Sequence, residues 1–298
     1  MIVLSGGTGT PKLLAGLKDI AEDFAVIVNT AEDIWLSGNL ICPDIDSVIY
    51  TLAGIIDEDR WWGIKGDTFK THKRIKEMGY GEKMMLGDMD RATHIFRSNL
   101  LRDNKNKTEA NLILARSLGV RQKVLPMCNE DIRTMIRSGK EEMHFQEFWV
   151  YRGGRPRVDD ISFEHIEDAK MTKDIKDLMS EEKNILIGPS NPISSILPIL
   201  SVGKMRELLK DKYVVVVSPI IGGKPVSGPA ASFMRAKGIE VSSKGVAEFY
   251  KDIMDVFIVD YRDKEEVELE GVEVYRTDTI MKDSEKREKL AKFIVDLL

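Results

Sequence analysis

Two hydrophobic periods alternate along this chain. Short, mostly apolar runs occur at Met1–Leu4, Phe24–Asn29, Val124–Met127, Asn184–Ile187, Tyr213–Val217 and Val256–Val259, with shorter ones at Ile34–Leu36 and Val272–Tyr275. Runs without polar alternation predict strands buried on both faces, as in a parallel sheet covered by helices. Between them the spacing changes to the three-to-four-residue period of amphipathic helices. Helices are predicted at Lys12–Ile20, Asp46–Leu52, Asp168–Ser180, Met205–Lys210, Ala230–Ala236 and Ser284–Leu297. The stretch Asp57–Leu118 reads as mostly helical, with patterns over Asp67–Met78, Arg91–Arg102 and Thr108–Leu118. Met143–Tyr151, running into Gly153-Gly154, has hairpin character. The alternation predicts an α/β fold, a Rossmann-like and mostly parallel sheet with helices on both faces. A single domain over residues 1–298 is expected, with a helical cap inserted at about residues 54–120.

Composition narrows the class without changing this picture. At 298 residues with 43% hydrophobic and 31% charged content, the chain can bury a sizeable core. A net charge of -5 argues against non-specific nucleic-acid binding, which needs a basic face. No 18-residue apolar run is present, so no membrane span is expected, and a strand-like start argues against a signal peptide. Cys42 and Cys128 are the only cysteines and lie far apart, which points to a reducing, cytoplasmic setting without a disulfide framework.

Candidate chemistry collects where predicted strands end. Ser5-Gly6-Gly7-Thr8-Gly9-Thr10 is a glycine-rich turn between a strand and a helix. Glycines let the backbone approach an anion closely, and the first N–H groups of the helix face it, with Lys12 as an added charge. The spacing is neither the dinucleotide fingerprint nor a Walker A loop. Glu32 and Asp33 follow the second strand, and Asp44 and Asp46 follow in Cys-Pro-Asp-Ile-Asp. If that stretch is extended, Asp44 and Asp46 project to one side. Carboxylates beside a phosphate site make a natural Mg²⁺ anchor, although Asp46 as a helix cap and Asp44 as a turn residue would explain the same pattern. In Leu86-Gly-Asp-Met-Asp-Arg-Ala-Thr-His94, Asp88 or Asp90 is placed to cap the next helix, while Arg91, His94 and Arg97 share a face that could clamp a phosphate or polar group. Gly188-Pro189-Ser190-Asn191-Pro192 is a stiff loop suited to a base or ribose, and the glycines and Lys224 of Ser218–Pro229 offer a second phosphate contact. Four scattered histidines, at 72, 94, 144 and 165, do not suggest zinc.

The series SGGTGTPKLL, NTAED, GNLICPDID, RWWGI, LGDMDRATH, MHFQEFW, IGPSNPISSI and SPIIGGKPVSGPA runs in order along essentially the whole chain. It resembles the 2-phospho-L-lactate transferase family of coenzyme F-420 biosynthesis. The resemblance implies an enzyme that moves a 2-phospholactyl or phosphoenolpyruvyl group from a guanosine diphosphate diester (LPPG or EPPG) to the ribityl hydroxyl of the deazaflavin Fo, with GMP leaving. It implies Mg²⁺ dependence and a homodimer. Carried over by motif, Gly6, Gly7, Thr8, Gly9, Thr10 and Lys12 would hold the diphosphate, with Ser190, Asn191 and Lys224 on the same nucleotide. Asp33, Asp44 and Asp46 would hold the metal. Asp46, Met85, Asp88, Arg91 and His94 would meet Fo, with Asp46 acting near its hydroxyl. Relatives can carry a basic residue where this chain has Met85. Two other readings start from the glycine turn alone: a nucleotide-sugar-binding regulatory protein and an NAD-dependent oxidoreductase. The missing third fingerprint glycine weakens the latter.

Overall fold

The structure, a computed structural model, describes residues 1–226 and 228–298, so Ser227 of the last motif lies outside the described residues. Seven strands form the central sheet: β1 (Ile2–Ser5), β2 (Ala25–Val28), β3 (Lys123–Pro126), β4 (Asn184–Ile187), β5 (Tyr213–Val217), β6 (Val256–Asp260) and β7 (Glu273–Thr277). All pair in parallel, in the spatial order β3-β2-β1-β4-β5-β6-β7. Successive residues of each strand enter opposite cores. Ile2, Leu4, Ile185, Ile187, Val214 and Val216 face one side. Val3, Val26, Val28, Leu186, Val215 and Val217 face the other. Burial on both faces is why these strands read as unbroken apolar runs.

The chain winds one way from β1 to β3, then returns to lay β4 on the other side of β1. The crevice at the carboxyl ends of β1 and β4 is therefore the switch point where open α/β sheets bind ligands. The loops after these two strands interlock there. Ser190 Oγ accepts a hydrogen bond from the Gly6 N–H at 3.0 Å and shares one with Thr10 Oγ1 at 2.7 Å. A Cβ on Gly9 would lie 1.9 Å from the Pro189 carbonyl oxygen, so the glycine turn is glycine partly to admit the second loop.

Helix α1 (Gly9–Leu17) starts three residues before the predicted Lys12. Helix α2 (Pro43–Leu52) likewise starts at Pro43, because proline's fixed φ suits a first helical turn. This corrects the expectation of an extended Asp44-Ile45-Asp46 with both carboxylates on one side. Residues two apart in a helix point about 200° apart, and the two carboxylates find different partners.

Between α2 and β3 the cap is built from α3 (Lys70–Glu77), α4 (Asp88–Arg102) and α5 (Lys107–Ser117). The first two helices cap one another. Asp88 accepts the backbone N–H groups of Lys70 and Thr71 at 3.0 and 2.9 Å, and Asp67 accepts those of Met89 and Asp90, both at 2.9 Å. Neither Asp88 nor Asp90 caps its own helix. Between β3 and β4 lies a three-stranded antiparallel sheet of Arg133–Ser138, Glu141–His144 and Asp160–Glu164. The stretch Met143–Tyr151 expected to have hairpin character is strand only at its start, and Glu147–Tyr151 forms a helical turn. The following helix covers only Lys173–Glu181, because the Thr172 side chain caps it by accepting from the Ile175 N–H. A helix at Ser243–Tyr250, held by the Ser242 cap, has no counterpart in the predicted elements. No described helix is long and apolar enough to cross a membrane.

Gly9→Ala is expected to lower unfolding free energy by about 1–3 kcal/mol or more, since a backbone carbonyl rather than a flexible side chain must move. Gly81→Ala, with nothing within 4 Å of the added Cβ, should stay within about 0.5 kcal/mol of the parent. Denaturant unfolding of the pair checks this; equal stabilities would separate the interlock from the fold.

Candidate active site

A cavity of about 600 Å³ occupies the switch point. Its floor is Gly7, Thr8 and Gly9 with Ser190, Asn191 and Ser194 of the facing loop. Glu32 and Asp44 form one wall, and Asp46 and Ser47 with Asp90 and His94 of α4 form another. Arg60, Trp61, Trp62 and the segment Lys83–Leu86 close the cap side, while Phe145 and Trp149 close the opposite end. The mouth is thus polar at the sheet and aromatic at the cap. Two features of the floor suit an anionic, hydrogen-bonding ligand. Helix α1 begins without any side-chain cap, which leaves its first N–H groups for another partner. Asn191 spends its Oδ1 on the Ile193 and Ser194 N–H groups, while its buried Nδ2 has no partner.

The walls carry two kinds of charge. Asp46 lies against Arg97, whose guanidinium is fully buried, with one contact at 3.1 Å and a second, shorter one. Arg97 also donates to Asn111 Oδ1 at 2.9 Å. His94 Nε2 sits 3.3 Å from both Asp46 and Asp90, and Tyr50 donates its hydroxyl to Asp90 at 2.8 Å. Burial opposes charge on both partners, but the ion pairs outweigh it. Asp46 is held down at about 2, by Arg97 first and then His94, and His94 is pushed up to about 9 by hydrogen bonds to Asp46 and Asp90. Two cations and two carboxylates balance here.

Glu32 and Asp44 have no such balance. Burial raises Asp44 to about 7, with the Asn29 amide at 3.0 Å opposing that and Asp33 adding to it. Burial raises Glu32 well above the usual carboxylate range, and the charge of Asp44 adds to the shift. Glu32 Oε1 is buried without a partner. Two buried carboxylates without a countercharge, beside an uncapped glycine turn, fit a hard divalent cation. Asp46, Asp90 and His94 also bring possible ligand atoms within 4.8 Å of one another, but Arg97 and a protonated imidazole already neutralise that group.

The sequence profile of 2-phospho-L-lactate transferase CofD matches residues 1–296. Proteins named 2-phospho-L-lactate transferase from Methanosarcina barkeri and Methanosarcina mazei are each 50% identical to this chain, covering 100% and 99% of it and 98% and 99% of themselves. One from Methanocaldococcus jannaschii is 46% identical over 99% of this chain and 96% of its own. The chain belongs to the 2-phospho-L-lactate transferase family. It is therefore a transferase. A crystal structure of a UPF0052 family member from Bacillus halodurans shares the fold, with a TM-score of 0.66 at 17% identity, over 99% of this chain and 97% of that one.

Seen against the family reading, the expected site residues divide. Gly7, Thr8, Gly9, Asp44, Asp46, Met85, His94, Ser190 and Asn191 line the cavity. Gly6 and Thr10 lie beneath it, bound to Ser190. Four charged residues and one metal candidate do not reach it as expected. Because α1 starts at Gly9, Lys12 is already its fourth residue, and its ammonium lies 5.4 Å from the Trp61 ring. Lys224 is exposed on the small hairpin of Ile220–Ile221 and Lys224–Pro225. Asp88 is committed to the start of α3, where Thr68 and the backbone of Thr71 hold its carboxyl well below the usual range. Arg91 turns away from the cavity to a bidentate contact with Glu82 at 3.1 and 2.6 Å. Asp33 sits behind Cys42, whose thiol donates to it at 3.1 Å, and near Lys107 at 3.9 Å. Glu32, Asp90, Tyr50 and Trp61 line the cavity without having been singled out as ligands, although Glu32 was legible in the acidic cluster and Trp61 in the paired tryptophans.

The His94 network sets a pH dependence of stability. An imidazole raised in the folded state contributes stability that is fully present below its unfolded pKa, near 6.5, and lost as pH rises through about 9. Between those values the parent should lose up to about 1.4 kcal/mol per pH unit relative to His94→Gln. Denaturant unfolding of both proteins from pH 6 to 9.5 reads the difference; parallel curves would mean a neutral His94.

Proposed function

We propose that this transferase moves a 2-phospholactyl or phosphoenolpyruvyl group from a guanosine diphosphate diester (LPPG or EPPG) to the ribityl hydroxyl of Fo. GMP leaves, and the product is the phosphodiester core of coenzyme F-420. The observation that carries this reading is one cavity that joins an uncapped glycine turn to two uncompensated carboxylates and a charge-balanced acid–imidazole pair. Mg²⁺ is part of the proposal. Glu32 and Asp44 would hold it, in place of the expected set of Asp33, Asp44 and Asp46. When bound, it would supply positive charge against the negative charge of the diphosphate.

The remaining work falls to the chain. The N–H groups of Thr8 and Gly9 are available to diphosphate oxygens, and Asn191 Nδ2 is available to the guanosine half, while Ser190 is spent on Gly6 and Thr10. The bond that forms joins the Fo hydroxyl oxygen to phosphorus, and the bond that breaks releases GMP. Such transfer depends on positioning and electrostatics more than on a strong base. Asp46 suits that demand. Its charge is permanent near neutral pH, and Arg97 and His94 fix its orientation, so it can accept a hydrogen bond from the incoming hydroxyl whose proton leaves late. The His94 imidazolium adds positive charge where the phosphoryl group passes. Trp61, Trp62 and Met85 give the cap side the apolar surface a planar ring requires. A homodimer and a cytoplasmic location belong to the same proposal, the former checked by sedimentation velocity.

Incubation with Fo, Mg²⁺ and each guanylated donor should release GMP in step with phosphodiester formation. Binding of a nucleotide-sugar without turnover, or of NADH in preference to GDP, would replace this reading with one of its rivals. Asp46→Asn should lower turnover at least roughly a hundredfold in the protein that remains folded, with added Mg²⁺ not restoring it. It should also lower stability, because buried Arg97 loses its countercharge. Asp44→Asn should instead raise the Mg²⁺ concentration needed for half-maximal rate. Rescue of the first variant by Mg²⁺ would move the metal to Asp46.

A further inference from the structure

Lys83, Met84, Met85 and Leu86 all line the cavity, yet they lie in a stretch without helix or strand. Among the described residues, none from Lys83 to Gly87 donates a backbone hydrogen bond, so the main chain does not hold this wall in place. Met84 and Leu86 are pegged into a small cluster with Ile41, and Met85 is left half open at the mouth. The polar anchor is the residue just before them. The Glu82 side chain is fully enclosed and receives four hydrogen bonds from three elements. Arg91 of α4 donates at 3.1 and 2.6 Å, Ser37 of the hairpin Ile34–Leu36/Asn39–Ile41 donates at 2.7 Å, and His72 Nδ1 of α3 lies at 2.8 Å. Burial opposes its ionisation, but Arg91, Ser37 and His72 keep its carboxyl below the usual range, so it is charged near neutral pH.

We infer that Glu82 is the positioning residue of the acceptor end of the cavity: through Arg91, Ser37 and His72 it sets the segment Lys83–Leu86 at the height that receives the acceptor's ring. The inference rests on the proposed reading of the acceptor as a planar deazaflavin. It also gives Arg91 a role distinct from the ligand contact expected of it. The glycine turn and the carboxylates of Glu32 and Asp44 lie on other elements, so the donor end should not respond to the clamp. An ionic clamp of this kind is confined to one geometry by the bidentate fork, whereas apolar pegs alone tolerate sliding.

The test compares Glu82→Gln and Arg91→Lys with the parent, the second variant keeping both charges while losing the fork. With Fo and donor varied separately, KM for Fo should rise roughly tenfold or more, since a misplacement of about an ångström can cost up to roughly a hundredfold. KM for the donor and the dissociation constant for GDP should hold within about twofold. A fall in kcat alone overturns the inference, because a loss of folded protein would produce it, and equal rises in both KM values overturn it, because the donor end would then respond as well. Hydrogen exchange supplies a readout that does not need activity: exchange in both variants should quicken at the hydrogen-bonded amides of Gly79, Tyr80 and Glu82 and stay unchanged at the glycine turn. Unchanged exchange at these three amides overturns the clamp whatever the substrate. Quickened exchange in the variants of a parent that never releases GMP overturns the proposed reaction instead.

Discussion

A fully buried guanidinium must be neutralised, and Arg97 imposes that requirement on the whole cap. Its partner is Asp46, fifty-one positions away on the first turn of α2. Docking α4 so that the two meet also brings His94 and Asp90 into the same cluster and Tyr50 onto Asp90. The cap cannot slide over the sheet without stranding a charge in a medium that does not solvate it. Removing one member of such a cluster costs far more than the cluster contributes to stability when intact. The wall of the cavity is thus a by-product of satisfying Arg97, and its fixed negative and positive charges are already in place before any ligand arrives.

The carboxylates on the other wall follow the opposite logic. Glu32 and Asp44 are buried with an amide for company but no cation, and burial lifts both towards neutrality. A protein interior tolerates this arrangement when a ligand supplies the missing charge. Asp44 also lies directly under the glycine turn, where a Cβ on Gly7 would sit 2.2 Å from its Oδ1. The turn, the carboxylates and the facing loop of Ser190 are therefore one mutually adjusted unit. The cap contributes aromatic surface and a clamped irregular wall to it.

Much of this was legible in order along the chain. Mostly apolar runs mark strands buried on both faces, and six of the seven sheet strands lie within about two residues of such a run, while the edge strand β7 is only half-buried and its run is broken by Glu273. The glycine turn could be read as an anion site because glycine at the start of a helix has few other uses that close to a strand. Element starts were less legible. Pro43 moved α2 forward, and with it Asp44 and Asp46 changed from neighbours on one side to residues of different walls. The helix Ser243–Tyr250 follows a polar stretch whose cap matters more than its hydrophobic period.

What the sequence alone determined is the set of buried strands, the order in which they are joined by helices, and the stretches where chemistry could sit. These depend on local spacing, which a single chain displays directly. Only the tertiary structure decided which charges face one another. Lys12 went to Trp61, Arg91 to Glu82, Asp88 to the start of a neighbouring helix, and Arg97 to Asp46. Each choice minimises the cost of a buried or half-buried charge over partners that lie from about nine to more than fifty residues apart. Nothing in local spacing encodes that minimum, because it exists only once the sheet has brought those segments together.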